Sequence, residues 1–363
     1  MKIAQISPLW ERVPPFRYGG VELVVSLLTE ELVRRGHEVT LFASGDSITE
    51  ADLHSVHHQA LRLDKNVKEP IIYEQMMLFQ LYQQADRFDI IHSHFGYTVL
   101  PFCNFVKTPT VHTTHGVFTP DNQKIFRKFA EQPYISISNA QREHRLELNY
   151  VHTVYNGIDT EAYPFQPEPT QPPYLAFVGR LSPEKGPEEA IKIALAVGLP
   201  LKMAGKIDPV DQTYFSEVLE PLIDGEQIQY LGEVSHQEKV QLLGNATLTL
   251  FPIAWREPFG LVMIESMATG TPVVGRALGS VPEVIAQGET GFVCNSLAEM
   301  IEVIPDAMKL ERQTCRDQVL KRFSVKTMVD QYELAYEAVI ERKTLNNNDR
   351  KLVCGRSFTE QPA

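Results

Sequence analysis

The stretch Phe251 to Glu265, FPIAWREPFGLVMIE, gathers residue types that can grip an anion. Leu248 to Phe251 is apolar and β-prone and stops at Pro252, so it reads as a buried strand. Pro258 suits the first turn of a helix, where its missing N–H costs nothing. From Gly260 the residues Leu261, Ile264, Met267 and Ala268 follow helical spacing, and Gly270 with Pro272 ends the run. This order puts the N–H groups of Phe259, Gly260 and Leu261 at the positive end of a helix dipole, where a phosphate is favoured. Glu257 and Glu265 frame that start, about 12 Å apart if the span is helical. Carboxylates gripping hydroxyl groups at two ends, with an anion between them, describe a sugar nucleotide. Taken alone, two glutamates at this spacing are common by accident, and surface charge is the commoner explanation.

A diphosphate needs positive charge. Gly179-Arg180-Leu181-Ser182-Pro183-Glu184-Lys185-Gly186 follows a strand directly, with Arg180 at its end and Lys185 at the next helix start. Arginine binds phosphate through two parallel hydrogen bonds and lysine adds a point charge. The chain contains no Asp-x-Asp tripeptide and no His, Cys or carboxylate run with metal spacing, so the expected clamp uses no metal and no cofactor.

The elements that must hold these residues alternate β and α along the whole chain. Lys2–Ser7 is a strand, and a loop ending in Tyr18-Gly19-Gly20 leads into a helix marked by Val21, Val24, Val25, Leu28 and Leu32. Gly19 and Gly20 let a ligand approach the backbone closely, although the G-x-G-x-x-G spacing of dinucleotide sites is absent. Residues 71–85 read as a helix whose Met76, Met77 and Phe79 suit a core. Strands at 89–94, 110–115 and 134–138 end in His94, His115 and Ser138, at the edge where parallel sheets bind ligands. His115-Gly116 is the strongest of these, because glycine keeps the approach open.

The proline-rich stretch 164–173 reads as the linker. Beyond it, strands at 174–178, 201–204, 228–231, 248–251, 272–274 and 292–294 alternate with helices near 186–197, 212–223, 236–243, 260–269 and 297–309. A first domain of 1–160 and a second of 174–325 follow. A final helix of about 326–343 has apolar residues Met328, Tyr332, Ala335, Tyr336 and Val339 suited to packing back on the first domain. Residues 344–363 are polar and aperiodic and read as a disordered tail.

A length of 363 residues fits two domains, and a 43% apolar share fills two cores. The net charge of −12 argues against a nucleic-acid partner. Cys103, Cys294, Cys315 and Cys354 stand far apart and read as reduced thiols of a cytoplasmic protein. No signal-peptide core and no membrane-length apolar run is present. Lys124 to Phe129, KIFRKF, is a short basic and aromatic patch. A solvated helix face is the favoured explanation, with peripheral membrane contact the alternative.

GRLSPEKG, the EPFG box from Glu257 to Glu265 with ESMATGTPVV after it, TTHG, YGGVE and YNGID together resemble the retaining glycosyltransferases of family 4, over residues 1 to about 340. SPLWERVPP and LFASGDS are similar to the subgroup that includes an avilamycin-pathway transferase. The resemblance implies an α/β GT-B fold, with two Rossmann-like domains facing across a cleft. It implies metal-independent transfer of a hexose, glucose by default, from a nucleoside-diphosphate sugar, UDP-glucose by frequency, to a small-molecule, glycan or lipid hydroxyl. By the same resemblance Arg180 and Lys185 hold the diphosphate, Glu265 the ribose and Glu257 the sugar. Phe259, Gly260 and Leu261 offer backbone contacts to the donor, His115 meets the sugar from the opposing domain, and Gly19 and Gly20 lie near the phosphate. With no carboxylate nucleophile beside His115, a front-face mechanism is expected. Trp10, His152 and Trp255 are candidates for a pocket, with packing an equal explanation. The alternatives are an epimerase or hydrolase on the same fold, or a catalytically silent sugar-nucleotide sensor.

Overall fold

Short apolar runs separated by helices form two parallel sheets in the computed structural model, which describes residues 1–16, 19–142 and 146–354. The first sheet contains β1 (Lys2–Ile6), β2 (Glu38–Phe42), β3 (Asp52–His54), β4 (Ile90–Ser93), β5 (Thr110–Thr114), β6 (Tyr134–Ser136) and β7 (Tyr150–Thr153). Their spatial order is β3-β2-β1-β4-β5-β6-β7. The second contains β8 (Leu175–Val178), β9 (Leu201–Ala204), β10 (Ile228–Tyr230), β11 (Leu248–Phe251), β12 (Val273–Arg276) and β13 (Gly291–Cys294), ordered β10-β9-β8-β11-β12-β13. Parallel neighbours require long crossovers, and helices covering both faces make the central strands apolar throughout. Accordingly β4, β5 and β11 are buried at every residue. In both sheets the strand order reverses once, between β1 and β4 and between β8 and β11. That reversal opens a crevice at the carboxyl edge, where α/β proteins bind ligands. The whole is an α/β GT-B architecture.

The last helix, Val325–Cys354, crosses back to the first domain. Its Met328, Val329, Tyr332, Ala335, Tyr336 and Val339 share a core with Ile3, Val24, Leu28, Leu32 and Val111. Each of the valine, leucine, isoleucine and methionine side chains contributes roughly 1.5–3 kcal/mol by burial. This helix extends beyond the expected 343. Once its packed half is nucleated, each further residue adds a hydrogen bond, so propagation needs no burial. The tail expected at 344–363 therefore begins as helix, while 355–363 and the Cys354 side chain lie outside the described residues, as does Tyr18.

Other differences have local causes. The edge strand β3 and the helix Arg312–Arg322 were not anticipated, one being short and the other polar. Residues 212–222 form short α, π and 3₁₀ turns rather than one helix, ending around Pro221. In the helix Pro70–Gln83 only one face packs: Met77, Leu78 and Leu81 are buried, whereas Met76 and Phe79 are 46% and 57% exposed. The expected core cluster is therefore split between two faces. The linker is not loose either, because the Gln166 amide donates to the Thr269 carbonyl and its own carbonyl accepts from Arg312 Nε.

Candidate active site

At the crevice of the second sheet, Arg180 follows β8 and the 252–260 loop follows β11. The two loops are drawn together by Gly186. Its φ of 74° suits glycine, and a Cβ there would lie 2.1 Å from the Pro252 carbonyl oxygen. The Ala254 amide donates to the Glu184 carbonyl at 2.9 Å. Lys185, in the turn Pro183–Lys185, thereby reaches Glu257, with Nζ 2.5 Å from Oε2. Trp255 Nε1 donates to the same oxygen at 2.9 Å, and the ammonium lies 4.8 Å from the Trp255 ring. Trp255 thus braces the ion pair rather than lining a separate pocket. Arg180 contacts Glu184 at 2.6 Å and Asp208 at 3.4 Å, and Lys206 contacts Asp208 at 2.9 Å. These carboxylates fix the cations in place at the crevice.

Gly260 caps the helix Leu261–Ala268 with φ 80°, and a Cβ there would meet the Phe251 ring and Met263 Cε, each at 2.9 Å. Neither the dihedral nor the space admits another residue. Pro258 therefore lies before the helix and not in its first turn. Because 257–260 is not helical, the expected helical rise between Glu257 and Glu265 does not apply. Phe259 is buried, and its carbonyl accepts from Ser280 Oγ at 2.7 Å. Glu265 is buried on the helix, where it accepts from Tyr163 Oη at 2.8 Å and pairs with Lys239 Nζ at 2.5 Å. Tyr163 and Lys239 were not flagged by the sequence reading. They lie 102 and 26 residues from Glu265, and no spacing rule connects them.

The opposing domain brings a second helix start to the same place. Gly20 begins the helix Gly20–Arg34, and a Cβ on it would lie 3.4 Å from Leu261 Cδ1. The two glycine turns, one from each domain, therefore face each other. Beside them Glu22 is buried, and that burial pushes its carboxyl up to about 7.

His115 follows β5 on the first domain, half-buried, with Nε2 2.8 Å from Nδ1 of His94. Burial lowers its ring to about 4, so it is neutral at pH 7. Gln141 Nε2 pins the flanking turn by donating to the carbonyls of Thr114 and Gly116. Ser138 has a supporting role, accepting from the Gln141 amide at 3.0 Å. The structure thus unites Arg180, Lys185, Glu257, Phe259, Gly260, Leu261 and Gly20 around one crevice. Glu265 lies deeper on the same helix, and His115 is held on the facing domain by His94.

Two further candidates, His152 and Phe126 of the basic patch, are packed against neighbouring elements. His152 Nε2 lies 2.8 Å from Gln331 on the last helix. Trp10 is half exposed. In the KIFRKF patch Phe126 is buried, with Ile125 and Phe129 against the same core, while Lys124 pairs with Asp121. One cluster escaped the sequence reading: His57, His58 and Asp64 place their ligand atoms within 4.8 Å of one another. The His57 ring is already bonded to Asp64 at 3.2 Å and stands 4.7 Å from the Tyr73 ring. Among the described residues no helix is long and apolar enough to cross a membrane, and Cys103, Cys294 and Cys315 are free and buried.

A family model described as "Glycosyltransferase Family 4" matches residues 18–162, and one described as "Glycosyl transferases group 1" matches 159–319. The chain is 25% identical to the N-acetyl-alpha-D-glucosaminyl L-malate synthase of Bacillus anthracis, over 89% of this chain and 94% of that one. It superposes on AviGT4, a glycosyltransferase involved in avilamycin A biosynthesis, with TM-score 0.70 and 25% identity, covering 94% and 98% of the two chains. It shares its fold with Anabaena HepE, solved with UDP-glucose, at TM-score 0.69 and 19% identity over 93% and 100% of the chains. Facing glycine turns, paired cations at the second crevice and these matches agree: the chain belongs to glycosyltransferase family 4, with the GT-B fold.

Proposed function

We propose that this glycosyltransferase moves a hexose, glucose by default, from a UDP-sugar to a hydroxyl acceptor, with retention at the anomeric carbon and without a divalent metal. The observation that carries the reading is the Lys185–Glu257 pair at 2.5 Å, braced by Trp255 beside the Gly260 turn. Departure of a nucleoside diphosphate develops negative charge on phosphate oxygens. Lys185, Arg180 and the N–H groups at the helix start are positioned before that charge appears, so little reorganisation is needed. They supply what a magnesium ion supplies in Asp-x-Asp enzymes. Glu257 holds the sugar's hydroxyls and Glu265 the ribose. Neutral His115 hydrogen-bonds the sugar from the opposite domain. The leaving phosphate takes the acceptor's proton on the same face of the sugar. The named binding of UDP-glucose by the similarly folded HepE supports this donor choice. Intact Arg180, Lys185, Glu257 and His115 favour an enzyme over a silent sensor.

The test is nucleotide release from UDP-glucose, GDP-mannose and ADP-glucose across an acceptor panel, with the product anomer read by NMR. An α-linked product from UDP-glucose, formed equally in EDTA, is expected. Inversion, or activity lost to EDTA and restored by manganese, would overturn the reading.

A further inference from the structure

His115 is one end of a buried hydrogen-bonded chain that runs through the first domain into the last helix. His115 Nε2 meets His94 Nδ1 at 2.8 Å, and His94 Nε2 meets Gln5 Oε1 at 3.2 Å. Gln5 Nε2 donates to Tyr336 Oη at 3.1 Å, and Tyr336 Oη lies 2.6 Å from His92 Nδ1. His92 Nε2 continues to Thr113 Oγ1 at 2.7 Å, and Thr113 to Tyr332 Oη at 3.3 Å. Gln5, His92, Tyr332 and Tyr336 are each 0% exposed, so no water competes for these bonds.

The distances favour one direction for the chain. A hydroxyl donor makes shorter bonds than an amide donor. The 2.6 Å contact therefore fits Tyr336 donating its proton to His92, and the 3.1 Å contact fits the Gln5 amide donating to the Tyr336 oxygen. That orientation leaves Gln5 Oε1, an acceptor only, facing His94. His94 Nε2 must then carry the proton, and in a neutral ring Nδ1 accepts. Its partner, His115 Nε2, has to donate. Burial drives both rings to the neutral form. His115 is left with an unprotonated Nδ1, the ring nitrogen outside the chain. A reversed Gln5 amide would invert every donor in this arm and give His115 the opposite tautomer.

We propose that Gln5 and Tyr336 are positioning residues that fix His115 as the Nε2–H tautomer, so that its Nδ1 accepts a hydrogen bond from a hydroxyl of the transferred sugar. Tyr336 belongs to the helix that crosses between domains, so seating that helix sets the tautomer of a ring at the cleft. The role in turnover rests on the glycosyl-transfer reading; the tautomer does not, and it is read without turnover.

The experiment uses the full chain labelled with 15N-histidine and long-range proton–nitrogen correlation, with His115→Gln identifying the signal by its loss. Wild type is expected to show the Nε2–H pattern. Tyr336→Phe keeps the ring in the core but removes the hydroxyl, and His115 should then populate both tautomers. Its kcat should fall roughly three- to tenfold, the equivalent of one ordinary hydrogen bond, with donor KM unchanged. Gln5→Leu should release the tautomer likewise. Gln5→Glu, which as a carboxylate still accepts from His94, should preserve it. An Nδ1–H pattern in wild type, or an unchanged pattern in both Tyr336→Phe and Gln5→Leu, would overturn the proposal. The expected patterns without turnover on any donor would support the tautomer assignment and sink the glycosyl-transfer reading instead.

Discussion

On the second domain Arg180, Lys185, Lys206 and Lys239 each contact a carboxylate near the sheet edge, whereas the facing edge of the first domain carries neutral rings. Burial depresses His92, His94, His112 and His115, and of these His94 bonds His115 and Gln5 while His92 bonds Tyr336 and Thr113. One side of the cleft holds fixed charge; the other holds fixed orientation. The difference teaches that a charged group can be held by a single countercharge. A neutral ring needs an unbroken chain of donors and acceptors to point one way.

Removing charge from the second domain should do the most damage. Lys185→Ala should lower kcat/KM by roughly 10²- to 10³-fold, as for loss of one preorganised group at developing negative charge. A loss below tenfold in initial rates would break the contrast. Next comes Glu22, a buried carboxylate at the first domain's glycine turn. Glu22, raised from 4.5 to about 7, is a carboxylate whose charged form folding disfavours. Its cost is absent below pH 4.5, grows as pH rises through 7 and is complete above it. Glu22→Gln should therefore stabilise the protein by about 2–3 kcal/mol at pH 8 and by little at pH 4.5, as read by denaturant titration. Equal effects at both pH values would show that the carboxyl titrates normally.

Tyr163→Phe, which removes one hydrogen bond from Glu265, should raise donor KM roughly three- to tenfold with kcat held. A fall in kcat instead would place Glu265 in the chemistry. Smallest of all, Lys124→Ala should change stability by less than about 0.5 kcal/mol, because exposed ion pairs are worth little. The neutral side makes a prediction by silence: with His115 near 4, the rate profile should show no inflection near 6.5 from this ring.

Alternation of apolar runs and helices made both sheets legible from the residues, since each parallel strand needs a crossover and an apolar core. The loop Arg180–Lys185 and the Gly260 turn were legible for a different reason: local backbone constraints leave a short signature. What stayed hidden is non-local. Tyr163 reaches Glu265 from just before the proline-rich linker, held there by Arg316 on its carbonyl and by the packing of Gln166 against Thr269 and Arg312. The His94–His115 pair depends on the lateral order of β4 and β5, which strand sequence does not dictate. The helix Arg312–Arg322 buries only Cys315 and Val319 among its apolar residues, a weak signal, and its third buried residue is an arginine satisfied by carbonyls of Gln166, Gly244 and Ala246.

The crossing of the helix Val325–Cys354 also bears on how the chain is made. Ile3, Val24, Leu28 and Leu32 leave the ribosome more than 290 residues ahead of their cover, Tyr332 to Val339. The amino-terminal half must wait with an open apolar flank while the other half, 175–294, completes its own sheet. A nascent chain halted before residue 325 would carry a finished second half beside an unfinished neighbour, and that neighbour is where a chaperone would find its grip.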